Sequence, residues 1–416
     1  MRIKEICDFV SRGTTPEYVD ESPYKVMNQA TFSKGWLDES NVRFTSKPTI
    51  DAQIIQGDLL MASTGGGVLG KVYYFDEDDT SFYADSHVSI LRNSKGKHLM
   101  KFLYYYFFIR YEEINATMVK GSTNQTELQR NYLLAYEINM PSLSNQKRIV
   151  NYLDEKNSAI STQIELLEKK KDAYTRLKKA IINSAVTHGL DEHVKLKDSG
   201  VEWIGMIPEH WEVKRIKDIS YMYSGLSGKS GDDFRCDDEN LTKCYIPFTN
   251  VLNNTVVDIN HFMRVVMSED EKQNSVKEND IIFLMSSEDY ESIAKSAVVI
   301  GDPGEVYLNS FCRGIRITSN NVYSPFVNYQ LNSEVYRDAL RFEARGFTRI
   351  NIKIDRIAGH FISLPPYEEQ QAIAAYLDEN CTKIDAAIAN IDKQTDALKH
   401  LKRSLINEVI TGQRAV

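Results

Sequence analysis

Cysteine is scarce in this 416-residue chain, which has five cysteines. No two of them form a CxxC pair. This spacing argues against a zinc ribbon and against the disulfide framework of small secreted domains. A reduced, cytoplasmic setting is therefore expected. The five positions are Cys7, Cys236, Cys244, Cys312 and Cys381.

Long apolar runs and targeting segments are also missing. The most apolar stretch, FLYYYFFI at 102–109, is far shorter than the roughly 20 residues of a membrane-spanning helix. The first ten residues, MRIKEICDFV, resemble the start of a folded segment rather than a secretion signal. We expect no membrane association.

An excess of positive charge is absent as well. The chain has 50 Lys and Arg residues against 58 Asp and Glu residues, a net charge of −8. This balance argues against a simple basic nucleic-acid binder, so that any phosphate contact must come from local basic patches. The hydrophobic fraction of 42% and the length indicate a globular protein with several domains.

The chain does contain an internal repeat at a constant offset. Residues 138–187 and 362–411 align without a gap, and eighteen of these fifty positions are identical. Chance alone would give about three identities. The repeat is clearest in YLDEKNSAI at 152–160 and YLDENCTKI at 376–384. A gapless match of this length indicates a duplicated element whose geometry does not tolerate insertions.

Each copy of the repeat has the pattern of one long helix. Apolar residues recur at spacings of three, four and seven, which is typical of a helix packed lengthwise against another helix. Pro141 and Pro365 precede the helices, and Gly189 and Gly412 follow them, as expected at helix ends. The residues predicted to form the contact face are Ile149, Leu153, Ile160, Ile164, Leu167 and Leu177 in the first copy, and Ile373, Leu377, Ile384, Ile388, Ile391 and Leu401 in the second.

A segment of similar size precedes each helix, and the two segments share three features. Both open with a similar phrase, both have an acidic residue before an apolar run, and both end in a glycine–threonine loop. The pairs are RIKEI at 2–6 and RIKDI at 215–219, QGDLLMAST at 56–64 and ENDIIFLMSS at 278–287, and GSTNQTEL at 121–128 and GFTRINIK at 346–353. Two diverged heads on matched helices predict a pseudo-two-fold arrangement, which suits the two-fold related half-sites of duplex DNA.

Several phrases in the chain resemble one protein family. They are GMIPEHWEVKRIKDI at 205–219, the helix starts MPSLSNQKRIVNYLDEK and LPPYEEQQAIAAYLDEN, and the tails LKKAIINSAVTHGL and LKRSLINEVITGQ. In this order and spacing they resemble the specificity subunit of type I restriction–modification systems, HsdS, over essentially the whole chain. The first head departs from the pattern, because no counterpart of IPEHW precedes RIKEI.

The resemblance implies a non-catalytic subunit of a site-specific adenine methyltransferase and ATP-dependent endonuclease complex from a bacterium or archaeon. It implies two mixed α/β target recognition domains, each of which reads one half of a split sequence in double-stranded DNA. The two long helices are then an antiparallel coiled coil that spaces the half-sites and docks two modification (methyltransferase) subunits. Restriction and translocase subunits complete the assembly. No cofactor is expected in this chain, whereas S-adenosylmethionine, ATP and Mg²⁺ are expected in the partner subunits.

The domain boundaries follow from the repeat and the resemblance. The first target recognition domain is predicted at 1–140 and the first long helix at 141–190. A linker is predicted at 191–212, followed by the second target recognition domain at 213–364 and the second long helix at 365–416. The spacing between half-sites is expected to follow the length of the helices, which at 1.5 Å per residue is roughly 60 Å.

Candidate DNA-binding residues are concentrated in the glycine–threonine loops. The second head has Arg345 and Arg349 around a flexible Gly-Phe-Thr core, and guanidinium groups bind phosphate or guanine edges. The first head offers Asn124 and Gln125, whose side chains can pair with adenine edges. Alternatively, both loops are turns that the fold requires. The full candidate set is Thr64, Lys71, Lys120, Ser122, Thr123, Asn124, Gln125, Lys229, Ser230, Arg345, Thr348, Arg349, Asn351 and Lys353.

Motifs for catalysis are incomplete in this chain. LPPY at 364–367 resembles an amino-methyltransferase motif, but Leu364 cannot accept a hydrogen bond from an amine. GGGVLGKV at 65–72 has the spacing of a phosphate-binding loop, but Val72 lacks the hydroxyl that binds Mg²⁺. No catalytic residue and no metal site are therefore predicted. Two alternatives to DNA specificity are a two-headed scaffold that binds only proteins, and a solitary nuclease, which would need a carboxylate cluster.

Overall fold

The structure is a computed structural model that describes residues 1–65, 67–120, 126–236, 238, 241–268 and 270–416, without the side chain of Lys120. The chain forms two units. Unit 1 comprises residues 1–168 and 392–416, and unit 2 comprises residues 169–391. Each unit therefore contains one head and one part of each long helix.

The first head is built from short strands and helices. β1, β8, β5 and β6 form an antiparallel sheet, and β2, β4, β3 and β7 form a second sheet in which β3 and β7 are parallel. Its strands are β1 (Phe9–Arg12), β2 (Tyr18–Val19), β3 (Lys25–Met27), β4 (Arg43–Thr45), β5 (Leu59–Ala62), β6 (Val72–Tyr74), β7 (Phe82–Ala84), β8 (Val88–Arg92), β9 (Val119–Lys120) and β10 (Glu127–Leu128). Its helices are α1 (Ile3–Ile6), α2 (Gln29–Phe32), α3 (Met100–Phe108), α4 (Tyr111–Thr117) and α5 (Arg130–Ala135).

The second head follows the first long helix, α6 (Leu143–His188). Its strands are β11 (Leu196–Asp198), β12 (Met206–Pro208), β13 (Glu212–Arg215), β14 (Ser220–Ser224), β15 (Thr242–Ile246), β16 (Met263–Val266), β17 (Ile281–Leu284), β18 (Ser286–Ser287), β19 (Ser296–Val298), β20 (Val306–Leu308), β21 (Cys312–Ile317), β22 (Ile350–Asn351) and β23 (Phe361–Leu364). Its helices are α7 (Ile216–Ile219), α8 (Phe248–Asn253), α9 (Ser324–Asn332), α10 (Glu334–Glu343) and α11 (Ile354–Ala358). The second long helix is α12 (Tyr367–Ile410).

The second head repeats the sheet plan of the first. β14, β21, β17 and β19 form an antiparallel sheet, and β16, β15 and β20 form a second sheet in which β15 and β20 are parallel. Both heads thus combine an antiparallel sheet with a mixed sheet and short helices. The predicted fold class of two mixed α/β heads, each followed by a long helix, is confirmed.

The two long helices pack against each other in opposite directions. In unit 1 the early part of α6 meets the late part of α12, and Lys402 Nζ donates to Ser161 Oγ at 3.1 Å. In unit 2 the late part of α6 meets the early part of α12, and Lys178 Nζ lies 2.7 Å from the Asp385 carboxylate. The contact moves backward along α12 as it moves forward along α6, which is the register of an antiparallel pair. The prediction of an antiparallel helix pair is confirmed.

Hydrogen bonds that attach each helix to its own head occur twice, at the offset of the sequence repeat. Tyr105 Oη donates to Asp154 at 2.5 Å in unit 1, and Tyr329 Oη donates to Asp378 at 2.5 Å in unit 2. A fully buried glutamine lies in the first turn of each helix. Gln146 accepts from Leu99 N at 3.0 Å, and its counterpart Gln370 accepts from Tyr323 N at 2.8 Å. The sequence repeat is therefore maintained by contacts that each helix makes with its head as well as by the helix pair.

The segment 191–212, interpreted from the sequence as a linker, is part of the folded unit 2. β11 and β12 pair as an antiparallel hairpin, and Ile204, Ile207 and Trp211 are buried in the core of this unit. Trp211 Nε1 also donates to Glu369 of α12 at 3.1 Å. Burial of these apolar side chains stabilises the segment against the head, so the linker interpretation is corrected at this point. The described helices include none with the length and apolarity of a membrane span.

Candidate nucleic-acid interface

In each unit the segment with an acidic residue before an apolar run (56–64 or 278–287) pairs with residues in or next to the glycine–threonine segment. In unit 2, β18 follows the buried strand β17 and pairs with β22, so that Ser286 lies opposite Asn351. Thr64 occupies the same place in unit 1 and forms a bridge with Glu127, which also pairs with Lys120. The two features that the sequence showed separately therefore meet in space, because described residues in or next to each glycine–threonine segment pair with residues that follow the central strand of the same head.

The loop of the second head closes tightly at its base. Arg345 N donates to Asn351 O and Asn351 N donates to Arg345 O, both at 2.9 Å. Gly346 has φ +146°, and a Cβ there would lie 2.0 Å from Arg349 O, so only glycine is accommodated. Ile350 and Ile352 are buried and anchor the loop to the core. The turn chemistry is thus required by the fold, and the residues between these anchors remain exposed.

Exposed aromatic rings and guanidinium groups surround this loop. The Phe347 side chain is fully exposed, and Phe342 and Phe311 are also exposed. The Arg349 guanidinium carbon lies 4.4 Å from the centre of the Phe311 ring. Within the part of the chain that the structure describes, neither Arg345 nor Arg349 lies within 4 Å of a carboxylate. Rings for stacking and cations for phosphate are the groups that nucleic-acid surfaces use.

The first head has a polar cleft on the side where Thr64 lies. The cleft has a volume of about 380 Å³, and its lining includes His87, Gln29 and Arg43. Thr64 Oγ1 lies 2.6 Å from His87 Nδ1 and 3.2 Å from Gln29 Oε1. Burial raises the pKa of Asp85 at the cleft wall. Amide, imidazole and guanidinium groups in one cleft suit the recognition of polar base edges.

The other predicted candidates lie around these two regions. Lys71 Nζ donates to Ser33 O at 3.0 Å, and Asn351 Nδ2 donates to Arg349 O at 3.2 Å. Thr348 and Lys353 are exposed on or just after the second loop. Ser122, Thr123, Asn124 and Gln125 lie outside the described residues, as does the side chain of Lys120. Their role in DNA contact stays a prediction.

Two candidates have structural partners that argue against DNA contact. Lys229 forms an ion pair with Glu271, and only 8% of its side chain is exposed. Ser230 caps the 3₁₀ turn Gly231–Phe234, where its N and Oγ donate to Asp233 at 2.6 and 3.1 Å. A lysine whose charge is already neutralised in a buried pair gains little from a phosphate. We therefore remove both residues from the candidate set.

An arginine–aspartate pair at the start of the central strand of each head, β5 or β17, was not anticipated from the sequence. Asp58 in QGDLL accepts two hydrogen bonds from Arg92, both at 2.7 Å, and its side chain is fully buried. In the second head Asp280 accepts from Arg316 at 2.8 and 2.6 Å. Bidentate pairs of this kind fix the geometry of the groups they join. One sequence feature could have drawn attention to these arginines: Arg92 and Arg316 are separated by the same offset as the two copies of the repeat.

The residues predicted for the helix face divide by exposure. Leu177 and Leu401, which correspond to each other in the repeat, are exposed. Neither lies in the buried part of the helix pair, and their role in docking partners stays a prediction. The buried residues are Leu153, Ile160, Ile373, Leu377, Ile384 and Ile391, and the partly buried ones are Ile149, Ile164, Leu167 and Ile388.

Sequence reasoning missed the aromatic part of the interface. Phe347 lies inside the phrase that was singled out for its two arginines, but its full exposure is visible only in the structure. Phe311 lies far before Arg349 in the chain, and no local pattern connects the two. A search for aromatic residues next to glycine in basic loops would have found Phe347.

Comparison with curated proteins gives relatives of similar length. One is the putative type I restriction enzyme MjaX specificity subunit of Methanocaldococcus jannaschii, 24% identical, with 99% of this chain and 92% of that protein aligned. The MjaVIII specificity subunit of the same organism is 25% identical with the same shares. The EcoKI specificity subunit of Escherichia coli K12 is 24% identical over 50% of this chain and 44% of its own length.

Solved structures share the fold. A chain from a study of complex assembly and conformational transition of the type I R-M system has a TM-score of 0.72 at 14% identity, covering 99% of this chain and 96% of that one. The HsdS subunit of Thermoanaerobacter tengcongensis has a TM-score of 0.52 at 14% identity, covering 100% of this chain and 96% of that one.

The family model for the type I restriction modification DNA specificity domain matches the chain twice, at residues 1–173 and 208–399. Each match includes one head and a large part of the long helix that follows it. With most of the chain matched in this way, the protein belongs to the family of type I restriction modification DNA specificity domains.

Proposed function

We propose that this protein is the DNA sequence-specificity subunit of a type I restriction–modification enzyme. Each head reads one half of a split recognition sequence, and the chain itself performs no catalysis. The observation that carries the proposal is the duplicated family match on two heads that keep one sheet plan and differ in their loops. Two different loops on one framework suit two different half-sites.

The loops are the proposed DNA contacts. In the second head Arg345 and Arg349 provide cations for phosphates or guanine edges, and in the first head the cleft beside Thr64 provides polar groups for base edges. The net charge of −8 means that acidic residues oppose the attraction of phosphates over the chain as a whole. Specific binding is therefore proposed to need additional phosphate contacts from partner subunits.

The proposed partners are two modification subunits and the restriction and translocase subunits of the same enzyme. The exposed Leu177 and Leu401, at equivalent positions of the repeat, are candidates for equivalent docking contacts on the two helices. S-adenosylmethionine, ATP and Mg²⁺ are assigned to these partner subunits, which work in the cytoplasm of the host.

A two-headed scaffold that binds only proteins is not favoured. The relatives are named as specificity subunits of restriction enzymes, and the exposed arginine–aromatic loop has the groups of a nucleic-acid surface. A scaffold gives no reason for two heads that share a framework and differ in these loops.

The test is to sequence methylated adenines in DNA from a host that expresses this chain with its modification subunits. The expected result is one split motif, with methylation that depends on the chain. A chimera in which residues 213–364 are replaced by the equivalent head of a relative should change one half of the motif and leave the other half unchanged. Methylation that does not depend on this chain, or a chimera that changes both halves, contradicts the proposal.

A further inference from the structure

The Phe347 side chain is the most exposed large apolar side chain among the described residues. It stands at the tip of the second-head loop, between Gly346 and Thr348, and none of the described aromatic contacts includes it. A fully exposed phenylalanine contributes no burial free energy to the folded state of the free protein. Such a side chain commonly marks a surface that becomes covered when the protein binds its target.

The loop that presents Phe347 is held firmly at its base. The two hydrogen bonds between Arg345 and Asn351, and the pairing of β18 with β22, close the loop at its base. Ile350 and Ile352 fix the same strand in the core, while the positive φ of Gly346 sets the direction of the turn. Little conformational freedom is therefore left to lose when the ring enters a target, which favours binding.

The charges beside Phe347 identify the kind of target. Arg345 and Arg349 flank Phe347 in the sequence, and neither has a carboxylate partner among the described residues. The Arg345 guanidinium group donates to the carbonyl groups of Phe342 and Ala344, and the Arg349 group lies over Phe311. Their positive charges remain available. An exposed ring with a cationic residue two positions away on either side in the chain suits a base step between two phosphates.

We propose that Phe347 enters the base stack of the DNA at the half-site read by the second head, and partly unstacks one base step there. This inference rests on the proposed function and assigns to it a mode of contact. Apolar side chains that enter a base step kink the duplex and favour flexible steps, so the wedge also contributes to sequence selection. Arg345 and Arg349 then bind the phosphates on either side of the opened step.

A protein partner is a weaker explanation for the exposed ring. Apolar docking surfaces are formed by several side chains around a buried centre and have few charges there. Phe347 stands instead on a narrow loop among arginines, and its neighbours in the chain are glycine and threonine. Phe342 and Phe311 are also exposed near the loop, but Arg345 lies against the first ring and Arg349 against the second, which brings charge into the surface. Phe347 has no such contact among the described residues, which suits a wedge better than an apolar patch.

The experiment uses the assembled complex of this chain with its modification subunits and a random library of DNA duplexes. Selection on the wild-type complex gives the bound sequence. 2-Aminopurine is then placed at each position of the half-site assigned to the second head. We expect its fluorescence to rise at one step on binding, and we expect Phe347→Ala to abolish this rise. The same variant should bind the duplex about tenfold or more weakly, in line with the loss of one base–aromatic contact.

Two further variants make the test selective. Phe347→Trp keeps an aromatic wedge and should retain both the affinity and the fluorescence signal. Ile259→Ala removes another exposed apolar side chain from the same unit and should change the affinity by less than about twofold. Because Phe347 is fully exposed, the melting temperature of Phe347→Ala should equal that of the wild type within about 1 °C.

The outcomes separate the inference from the function on which it rests. A selected sequence that Phe347→Ala binds as tightly as the wild type, or that shows no fluorescence rise, overturns the inference and leaves the function intact. Loss of modification subunits from the Phe347→Ala complex, with unchanged DNA affinity, assigns the ring to a protein interface and also overturns it. If the wild-type complex selects no sequence, both proposals fail.

Discussion

Lys229 and Arg349 are both basic residues in loops of the second head, and the structure gives them opposite surroundings. Lys229 is buried in an ion pair with Glu271, whereas the Arg349 guanidinium group lies on an exposed ring. Charge that is already paired contributes to stability, and charge that faces solvent is free to bind phosphate. Both residues are basic and lie near glycines, so the sequence did not distinguish them. The structure does, because Glu271 lies next to Lys229 and no described carboxylate lies next to Arg349.

Alanine substitution at these two positions should therefore have different effects. Arg349→Ala is expected to weaken DNA binding by the assembled complex about fivefold to tenfold and to reduce the slope of log affinity against log salt concentration by about 1. Lys229→Ala should leave this slope unchanged and lower the melting temperature, because Glu271 loses its partner. Fluorescence anisotropy over a salt series measures the slope. An equal change of slope in both variants would contradict the assignment.

His360 makes the stability of unit 2 depend on pH. Its ring stacks on Trp203 with centroids 4.5 Å apart, and burial lowers the pKa of His360 to about 4. The unfolded chain, with an ordinary histidine pKa near 6.5, binds more protons than the folded chain below that pH. The contribution to stability is therefore complete above pH 6.5, and about 3 kcal/mol of it is lost by pH 4.

The matched variant for this prediction is His360→Phe, which keeps an aromatic ring against Trp203 and cannot titrate. Asp338, Glu343 and Asp355 line the same cavity in both proteins, so the difference between variant and wild type isolates the histidine. Urea unfolding between pH 7 and pH 4 should show the wild type losing more stability than the variant. Parallel losses in the two proteins would show that His360 is not responsible.

At the scale of elements, the two long helices are attached to their heads by the residues that make the repeat visible. Gln370 donates to Pro365 O and accepts from Tyr323 N, and Gln146 makes the equivalent contacts in the first head. The Oε1 atom of a glutamine amide can accept a hydrogen bond from a backbone N–H while its Nε2 atom donates to backbone carbonyl groups. These contacts explain why a glutamine recurs at the same position of both helices.

Replacing this glutamine by leucine should separate its hydrogen bonds from its size. Gln370→Leu leaves Tyr323 N and the carbonyl groups of Pro365 and Asn321 without this partner, and we expect a loss of about 2–4 kcal/mol in the free energy of unfolding. Gln371→Leu, at the next and exposed position, should change it by less than about 0.5 kcal/mol. Urea denaturation measures both. Similar losses of stability in the two variants would show that the hydrogen bonds of Gln370 are not responsible.

At the scale of the whole molecule, the net charge of −8 limits what the chain can do alone. Affinity for DNA increases with the number of phosphates that a protein neutralises, and the excess of acidic residues over the whole chain opposes this attraction. Local basic groups such as Arg345, Arg349 and Lys353 therefore suit recognition more than general attachment to DNA.

The isolated chain is therefore expected to bind duplex DNA weakly and without sequence preference, and its assembly with modification subunits should confer tight, selective binding. Gel-shift titrations of the selected duplex and of a scrambled duplex, with and without the modification subunits, measure this. The control is the modification subunits alone on both duplexes. Tight and selective binding by the isolated chain would refute the expectation.

The sequence alone determined the architecture of this protein. A gapless repeat with apolar residues at helical spacing predicts two long helices, because insertions and polar residues on that face would break their contact. The prolines and glutamines located the helix starts, and the phrases around IPEHW and LPPYEEQ identified the family. These features involve residues that are neighbours or regularly spaced in the chain, so they can be recognised from the sequence alone.

Only the tertiary structure decided which residues of the heads are available to a ligand. Asp58 meets Arg92, Lys229 meets Glu271, and Arg349 meets Phe311, although the members of each pair lie far apart in the chain and no periodicity relates them. The hairpin at 191–212 is part of the second unit for the same reason, since Trp211 finds its partner Glu369 only in the folded chain. Whether a side chain can contact a ligand depends on the groups that lie next to it in space. For residues far apart in the chain, only folding determines which groups become neighbours.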